Sequence, residues 1–195
     1  MSIQSTVTIG FVGNTVAGPV IIHHGHQPLI VNSVTLAAHP GHGLIAGGKL
    51  PIKTFDAILD ALHHLNWLPK IGTVITGYLG APSQVKSIEK MIKRWRDERP
   101  NGYYILDPVL GDNGRIYVDD KLVESIRDDL LPLANFVTPN QFELELLTGK
   151  AIFDVASSDV AAKLLLDTYQ NLECVIITGV NGKSGNVIDR MVSHS

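Results

Sequence analysis

A chain of 195 residues can bury a proper hydrophobic core, and we expect residues 1–195 to form a single domain. Apolar residues make up 45% of the chain and charged residues 18%, with a formal net charge of −3, so the composition is that of a globular protein without broad attraction to nucleic acid or anionic membrane. The single cysteine, Cys174, excludes a disulfide framework and a cysteine-based zinc motif. The sequence shows neither a signal peptide nor the roughly 20 apolar residues of a membrane span, so we expect a cytoplasmic protein.

Short β-branched segments alternate along the chain with amphipathic ones. The predicted strands cover residues 29–31, 72–75, 103–106, 136–137 and 175–177. The predicted helices cover residues 52–65, 82–98, 120–131 and 156–170. Strands that alternate with helices predict right-handed crossovers, and hence an α/β fold with a mostly parallel central sheet and helices on its faces.

The helix over residues 82–98 is the clearest of these elements. Its apolar residues fall on one stripe, and lysine, arginine and glutamate residues cover the rest of its surface. Pro82 suits the first turn of a helix, and the Pro100-Asn101-Gly102 segment predicts its end.

Polar turns follow several of the predicted strands. In open α/β sheets, ligands bind outside the carboxyl ends of the strands, so polar turns along one edge indicate a binding site, although any strand must end in turn residues. The turns are Thr76-Gly77-Tyr78, Asp107-Pro108, Thr138-Pro139-Asn140 and Thr178-Gly179.

The segment after residues 136–137 allows two interpretations. Asn140 is suited to be the N-cap of a helix, with Glu143 reaching back to its amide in a capping box. Alternatively, Glu143 lies near a metal ion or its waters and Asn140 donates to phosphate, since magnesium prefers oxygen ligands and keeps several waters. Residue types alone leave both interpretations open.

Asp107 stands at the end of a buried strand, where a carboxylate beside a nucleotide could hold a cation or water. Asn113-Gly114, a few residues later, predicts a tight turn into another strand.

The glycine-rich segment 39–43 follows a predicted strand and is placed to close over a small ligand, unless it is only a flexible connection. The first helix is expected to end near His23, His24 and His26. Cationic side chains suit the negative end of the helix dipole, and we favour this explanation of the three histidines over a metal site. The Gly182-Lys183-Ser184 run lacks the upstream glycine of a phosphate-binding P-loop and is expected to be a loop between strands.

In this order and spacing, these segments resemble the pyridoxal kinases of the ribokinase-like superfamily along almost the whole chain. The resemblance implies a three-layer α/β/α sandwich and ATP-dependent phosphorylation of the 5′-hydroxyl of pyridoxal, pyridoxine or pyridoxamine. It rests on residues 2–5, 10–14, 31–34, 39–43, 76–80, 107–112 and 138–145.

The resemblance also implies roles for individual residues. Ser5 would bond the substrate ring, Tyr78 would flank it, and the loop that begins His39-Pro40-Gly41 would cover it. The remaining implied residues serve the nucleotide or the metal. Asp107, Thr138, Asn140, Glu143 and Thr178 would bind the nucleotide, and Asp107, Asp112 and Glu143 would manage magnesium.

Family members carry the catalytic aspartate in a Gly-Thr-Gly-Asp motif nearer the C-terminus, and this sequence has no such run, so the catalytic base is expected beyond Ser195. The expected ligands are ATP, Mg²⁺ and a B6 vitamer, with a monovalent cation as a further candidate, in a homodimer that binds neither nucleic acid nor membrane. Two alternatives stay open: a protein that binds vitamers or ATP, or pairs with a partner, without efficient transfer, and a hydroxymethylpyrimidine kinase.

Overall fold

The computed structural model describes residues 1–43, 46–181 and 186–194. The chain divides into two compact units, Met1–Tyr103 and Tyr104–Ser195, each with its own strands and helices. The expectation of one domain over the whole chain stays a prediction. Among the described residues, no helix is both long and apolar enough to cross a membrane.

The first unit is built from parallel strands connected by helices, with short 3-10 turns at Pro40–His42 and Leu68–Lys70. Its elements are β1 (Ser2–Ile9), α1 (Asn14–His23), β2 (Ile30–Ala38), β3 (Gly47–Lys49), α2 (Ile52–His64), β4 (Thr73–Thr76) and α3 (Pro82–Glu98).

Strand β1 lies at the centre of this unit, parallel to both β2 and β4, and β3 lies antiparallel on the far side of β2. The carboxyl ends of β1, β2 and β4 therefore meet at the same edge of the sheet. The register of β1 and β2 shifts by one residue between Gln4 and Thr6, because Gln4 is opposite Asn32 while Thr6 is opposite Thr35. This shift is a β-bulge.

Helix α3 begins and ends as the sequence predicts, with Pro82 in its first turn. Val85, Ile88, Ile92 and Trp95 are fully buried, which confirms the predicted apolar stripe. The Trp95 indole donates a hydrogen bond to the Ile71 carbonyl at 2.9 Å, so its one polar atom is satisfied inside the core.

The second unit combines short strands with two well-capped helices, and a π turn (Ile126–Leu130) and a 3-10 turn (Leu131–Leu133) follow its first helix. Its elements are β5 (Tyr103–Leu106, which starts at the boundary of the units), β6 (Gly111–Asp112), β7 (Arg115–Ile116), α4 (Asp120–Ser125), β8 (Phe136–Val137), α5 (Gln141–Thr148), α6 (Val155–Thr168), β9 (Cys174–Asn181) and β10 (Val187–Ser193).

In the second unit β5, β8 and β9 run parallel, and β10 is antiparallel to β9. The sequence predicted that the strand ends at Thr178-Gly179, and this is wrong, because β9 continues to Asn181. The register with β10 shifts at this point, and Gly179 has a φ of +70°, so the glycine serves a bulge inside the strand. The Gly179 amide donates to the Asp189 carboxylate at 3.1 Å.

The predicted helix over residues 120–131 is regular only as far as Ser125 and then continues as the π and 3-10 turns. Pro132 lacks an amide hydrogen, so a regular helix is not expected to continue through it. The predicted tight turn at Asn113-Gly114 is confirmed, since both residues have positive φ (49° and 77°) and β6 pairs with β7 across them. The predicted loop at Gly182-Lys183-Ser184 lies outside the described residues.

Candidate functional site

Most of the predicted nucleotide-binding residues meet at the carboxyl edge of the second unit's strands. Asp107 follows β5 and Thr138 follows β8, and the Thr138 hydroxyl donates to Asp107 Oδ1 at 3.1 Å. Asn140 forms an isolated parallel bridge with Thr178, whose amide donates to the Pro139 carbonyl at 2.9 Å. The sequence therefore identified side chains that are neighbours in the folded unit. We call Asp107, Thr138, Asn140 and Glu143 the acidic edge.

Asn140 and Glu143 form the predicted capping box at the start of α5. Asn140 Oδ1 accepts from the Glu143 amide at 2.8 Å, and Glu143 Oε2 accepts from the Asn140 amide at 2.8 Å. The Asn140 side chain also donates to the Gly111 carbonyl at 2.8 Å. Asn140 thus joins the helix start to the segment that follows Asp107.

Glu143 makes a second connection to that same segment. Its Oε1 accepts from the Leu110 amide at 2.9 Å and from the Gly111 amide at 3.4 Å, and the residue is only 4% exposed. Both carboxylate oxygens therefore accept backbone hydrogen bonds, and those from Leu110 and Gly111 fix these two residues against the start of α5.

Burial perturbs both carboxyls of the acidic edge. Burial raises the pKa of Asp107 to about 6, against the opposing effect of the Thr138 hydrogen bond. Burial also raises the pKa of Glu143 to about 7, against three backbone hydrogen bonds, and the nearby charge of Asp107 adds to the rise. Two desolvated carboxylates of like charge favour a bound cation, and their oxygen ligands suit magnesium. The oxygen atoms of these two carboxyls are therefore of the donor type that magnesium prefers.

Asp112, the third predicted metal residue, is exposed and hydrogen-bonded to its own hairpin. The Asn113 amide donates to Asp112 Oδ1 at 2.8 Å, and the Asn113 side chain donates to Oδ2 at 2.9 Å. Within residues 1–43, 46–181 and 186–194, no group of three His, Cys, Asp or Glu side chains is arranged to hold a metal ion. Any magnesium bound at the acidic edge would therefore need oxygen ligands from water or phosphate as well.

The predicted substrate residue Ser5 lies in β1 of the first unit, 7% exposed, at the bulge with β2. Gly13, just before α1, comes so close that a Cβ atom there would lie 2.2 Å from the Ser5 carbonyl oxygen. With a φ of 56°, Gly13 also has a backbone conformation that other residues rarely adopt. Ser5 is thus held between a bulge and a glycine contact.

Tyr78, the second predicted ring contact, follows β4 and is half-buried. Its side chain packs against the small cluster of Val7, Val34 and Leu36. Burial raises the pKa of the Tyr78 phenol above its ordinary value. The Tyr78 carbonyl accepts a hydrogen bond from the Ser33 hydroxyl at 2.5 Å.

The loop predicted to cover the substrate forms an exposed 3-10 turn, Pro40–His42. Nδ1 of His39 accepts from the Gly41 amide at 3.1 Å, and the His39 carbonyl accepts from the His42 amide at 3.0 Å. The side chain of Pro40 lies outside the described part of the chain.

Sequence reasoning missed the buried polar residues that support these positions. Asn14 donates to the Gln4 carbonyl at 3.1 Å and the Val31 carbonyl at 3.0 Å, which ties α1 to β1 and β2. Ser33 and Gln84 hold the segment around Tyr78. Of these residues, only Gln84 could be noticed in the sequence, because it lies in the first turn of a helix that begins with a proline. That position predicts a capping role and not a role at the site.

The family model described as phosphomethylpyrimidine kinase matches residues 50–195. Among curated relatives, the chain is 38% identical over 179 residues to the pyridoxine/pyridoxal/pyridoxamine kinase of Bordetella avium, covering 91% of this chain and 60% of that protein. It is 38% identical over 152 residues to the pyridoxal kinase of Arabidopsis thaliana, covering 78% of this chain and 49% of that protein. The chain thus spans about half to three fifths of the length of these relatives.

The fold matches solved pyridoxal kinase structures. The Leishmania donovani pyridoxal kinase in complex with ADP and pyridoxamine superposes with a TM-score of 0.92 and 29% identity, covering 100% of this chain and 66% of that one. The Entamoeba histolytica pyridoxal kinase gives a TM-score of 0.92 at 27% identity, covering 99% and 68%. These matches confirm the expected three-layer α/β/α fold with a mostly parallel sheet. The chain therefore belongs to the phosphomethylpyrimidine kinase family, within the ribokinase-like superfamily, and is similar to the pyridoxal kinases described above.

Proposed function

We propose that this protein takes part in the transfer of the γ-phosphoryl group of ATP to the 5′-hydroxyl of pyridoxal, pyridoxine or pyridoxamine, as in vitamin B6 salvage. The observation that carries the proposal is the similarity to B6 vitamer kinases over 91% of the chain, together with the match to a structure that holds ADP and pyridoxamine.

The acidic edge serves the phosphate and metal side of this proposal. Asp107 and Glu143, with Asp112, would hold magnesium, and Asn140 would donate to the phosphates. Thr138 and Thr178 border the nucleotide. Magnesium, when bound, would neutralise charge on the phosphate oxygens, and phosphoryl transfer depends chiefly on such neutralisation and on positioning. Because Glu143 also accepts from the Leu110 and Gly111 amides, it holds the backbone that follows Asp107 in place.

The first unit supplies the vitamer side of the proposal. Ser5 bonds the pyridine ring, Tyr78 flanks its face, and the turn that begins His39-Pro40-Gly41 covers it. Partial burial of Tyr78 in an apolar cluster supports this role, because an aromatic side chain fixed by packing presents its face to a ring with little loss of side-chain entropy.

Transfer to an alcohol also needs a proton acceptor. The sequence contains no Gly-Thr-Gly-Asp run, so the proposal assigns binding roles to residues 1–195 and names no proton acceptor among them. Binding without efficient transfer remains the alternative for this chain by itself.

The test is to incubate the purified chain with pyridoxal and magnesium ATP, and to measure both pyridoxal phosphate formation and the binding of each ligand by calorimetry. We expect both ligands to bind, and nucleotide binding to weaken when EDTA removes magnesium. Failure of the folded chain to bind either ligand would contradict the proposal. Product at an enzymatic rate would show that a residue of this chain accepts the proton.

A second candidate substrate is hydroxymethylpyrimidine, which the match to the phosphomethylpyrimidine kinase model favours. Both substrates are six-membered nitrogen rings with a hydroxymethyl group. Displacement of bound pyridoxal by hydroxymethylpyrimidine at lower concentration than by pyridoxine would favour the second candidate.

We also propose a homodimer that forms through the α1 region, where Phe11, Val20 and Ile22 are 84%, 48% and 61% exposed. Exposed apolar side chains gathered on one short segment make that segment the candidate interface. The mass of the chain in solution, measured by light scattering for the wild type and for Phe11→Ser with Ile22→Ser, tests this.

A cytoplasmic location is part of the proposal because magnesium ATP is abundant there. A monovalent cation is a further expected ligand of the nucleotide side.

A further inference from the structure

Gln84 is a buried amide with an unusual set of partners. It lies in the first turn of α3 and is 1% exposed. A buried amide is costly unless it is hydrogen-bonded, and Gln84 bonds through both of its polar atoms. Its Oε1 accepts from the Gly80 amide at 2.9 Å, and its Nε2 donates to the Ser33 carbonyl at 2.8 Å.

Helix capping explains only one of these bonds. A glutamine in the first turn of a helix commonly reaches back to an amide just before the helix, as Gln84 does to Gly80. The bond to Ser33 has no such local reason, because it joins residues 51 positions apart on α3 and β2. Gln84 therefore connects the segment before α3 to the interior of strand β2.

Ser33 lies next to both residues that are predicted to contact the substrate ring, Ser5 and Tyr78. The bulge places Ser33 and Val34 opposite Ser5, because their neighbours Asn32 and Thr35 pair with Gln4 and Thr6. The Ser33 hydroxyl donates to the Tyr78 carbonyl at 2.5 Å, and Ser33 itself is 0% exposed. One buried serine thus stands across from Ser5 and holds the backbone of Tyr78.

The segment that carries Tyr78 is also fixed at both ends. At one end, the Gly77 amide donates to the Ile3 carbonyl at 3.1 Å, and a Cβ on Gly77 would lie 2.5 Å from Gln4 Oε1. At the other end, Gly80 is bonded to Gln84. Little freedom remains in residues 77–80 while the Gln84 bonds are in place.

We propose that Gln84 is a positioning residue for vitamer recognition, which acts through Ser33 and Gly80 to hold the Tyr78 backbone in a fixed relation to Ser5 without touching the substrate. The inference rests on the proposed function, because it assumes that Ser5 and Tyr78 contact a B6 vitamer. It adds a residue that the resemblance does not assign.

The first test compares pyridoxal binding by the wild type, Gln84→Met and Gln84→Glu, with an ATP analogue as the second ligand. Methionine keeps the side-chain length and removes both bonds. Glutamate, assayed at a pH above the pKa of its buried carboxyl, keeps the acceptor for Gly80 and removes the donor to Ser33. We expect Gln84→Glu to bind pyridoxal about tenfold more weakly, the change that the loss of one positioning hydrogen bond produces, and Gln84→Met, which loses both bonds, to bind it more weakly still. Nucleotide affinity is expected to stay unchanged, since Gln84 acts through bonds to Gly80 and Ser33 of the first unit.

The matched control is Ser87→Ala on the same helix. Ser87 donates to Asp56 at 2.5 Å, so this variant also loses a side-chain hydrogen bond of α3. The melting temperatures of Ser87→Ala and Gln84→Glu show how far each lost hydrogen bond lowers stability, separately from its effect on pyridoxal binding. We expect Ser87→Ala to bind pyridoxal like the wild type.

A double-mutant cycle with Ser33→Ala separates positioning from a general loss of packing. If Gln84 acts through Ser33, the double variant Ser33→Ala with Gln84→Glu binds pyridoxal no more weakly than the weaker single variant. Additive losses, or wild-type pyridoxal affinity in folded Gln84→Glu, would overturn the inference while leaving the proposed function intact. A wild-type chain that binds the nucleotide but no vitamer would overturn both.

Discussion

Asn140 and Glu143 accept hydrogen bonds from each other's backbone amides, both at 2.8 Å, at the first turn of α5. The same two side chains bond the Gly111 backbone, one to its carbonyl and the other to its amide. The capping interpretation of this segment is therefore confirmed, and it does not compete with a phosphate-binding role. Together with the Leu110 amide, which also donates to Glu143, these bonds hold the backbone that follows Asp107 against the start of α5.

The first prediction concerns this double function of Asn140. Asn140→Ala removes a helix cap and the bond to Gly111, so we expect the free energy of unfolding to fall by roughly 2–3 kcal/mol, measured by urea denaturation. Nucleotide binding should weaken as well. The matched control is Asp154→Ala, which removes the equivalent cap of α6, where Asp154 accepts from the Ser157 amide at 2.8 Å. It should cost about 1 kcal/mol and leave nucleotide affinity unchanged. Equal effects of the two variants on nucleotide affinity would contradict a special role for Asn140.

The second prediction is a pH dependence of stability. The pKa values of Asp107 and Glu143 are raised in the folded chain, to about 6 and about 7, so the native state keeps protons that the unfolded chain releases. The stability that these two groups give at low pH is therefore lost as the pH rises from about 4 through 7. Magnesium, which binds the ionised carboxylates, should stabilise the chain more at pH 8 than at pH 5.

Asp107→Asn isolates the contribution of one carboxyl. Asparagine can still accept the Thr138 hydrogen bond but carries no charge, so we expect the variant without magnesium to be more stable than the wild type by roughly 1–3 kcal/mol at pH 8, and nearly equal to it at pH 4. Urea denaturation at both pH values measures this. The variant should also lose the stabilisation by magnesium. The same pH slope in wild type and variant would show that Asp107 does not titrate as described.

The elements that could be predicted from the sequence are those that local residues determine. Helix α3 carries its own stripe, first-turn proline and terminator, and the capping box of α5 lies within four residues. The bulge at Ser33 could not be predicted, because it depends on the register between β1 and β2, which lie more than 20 residues apart. Thr178-Gly179 was misjudged for the same reason: a glycine that a bulge requires looks like a strand end until the partner strand is known.

The same distinction between local and distant causes applies to the site residues. Side chains at strand ends, such as Asp107 and Thr138, could be predicted because the topology of a parallel sheet brings such ends together. The residues that support site positions through hydrogen bonds, such as Asn14 and Gln84, could not be predicted. Their partners are backbone carbonyls of distant strands, and no periodicity or motif marks them.

The third prediction tests whether the Tyr78 ring contacts a vitamer. Tyr78→Ala removes the ring, and we expect pyridoxal affinity to fall by about tenfold or more, while Tyr78→Phe keeps the ring and should stay within about threefold of the wild type. Calorimetric titration with pyridoxal, followed by an ATP analogue, measures both affinities. Tyr103→Ala, at a 47% exposed tyrosine, is the control and should change neither. A Tyr78→Ala variant that binds pyridoxal normally would remove Tyr78 from the proposed site.

The last prediction concerns the contact between Gly13 and Ser5. Gly13→Ala would place a Cβ 2.2 Å from the Ser5 carbonyl oxygen at a φ of 56°, so the bulged strand, the start of α1 or both must move. We expect a loss of about 3 kcal/mol or more in the free energy of unfolding, from backbone strain and overpacking together. Gly25→Ala is the matched control, because Gly25 has a φ of +79° but open space around it, so only the strain of about 1–2 kcal/mol applies. Urea denaturation of both variants gives the difference.

In a Gly13→Ala chain that stays folded, pyridoxal binding should be lost and nucleotide binding retained, because the displacement is centred on Ser5. Equal destabilisation of the two variants, with pyridoxal affinity unchanged, would show that the Gly13 contact does not set the position of Ser5.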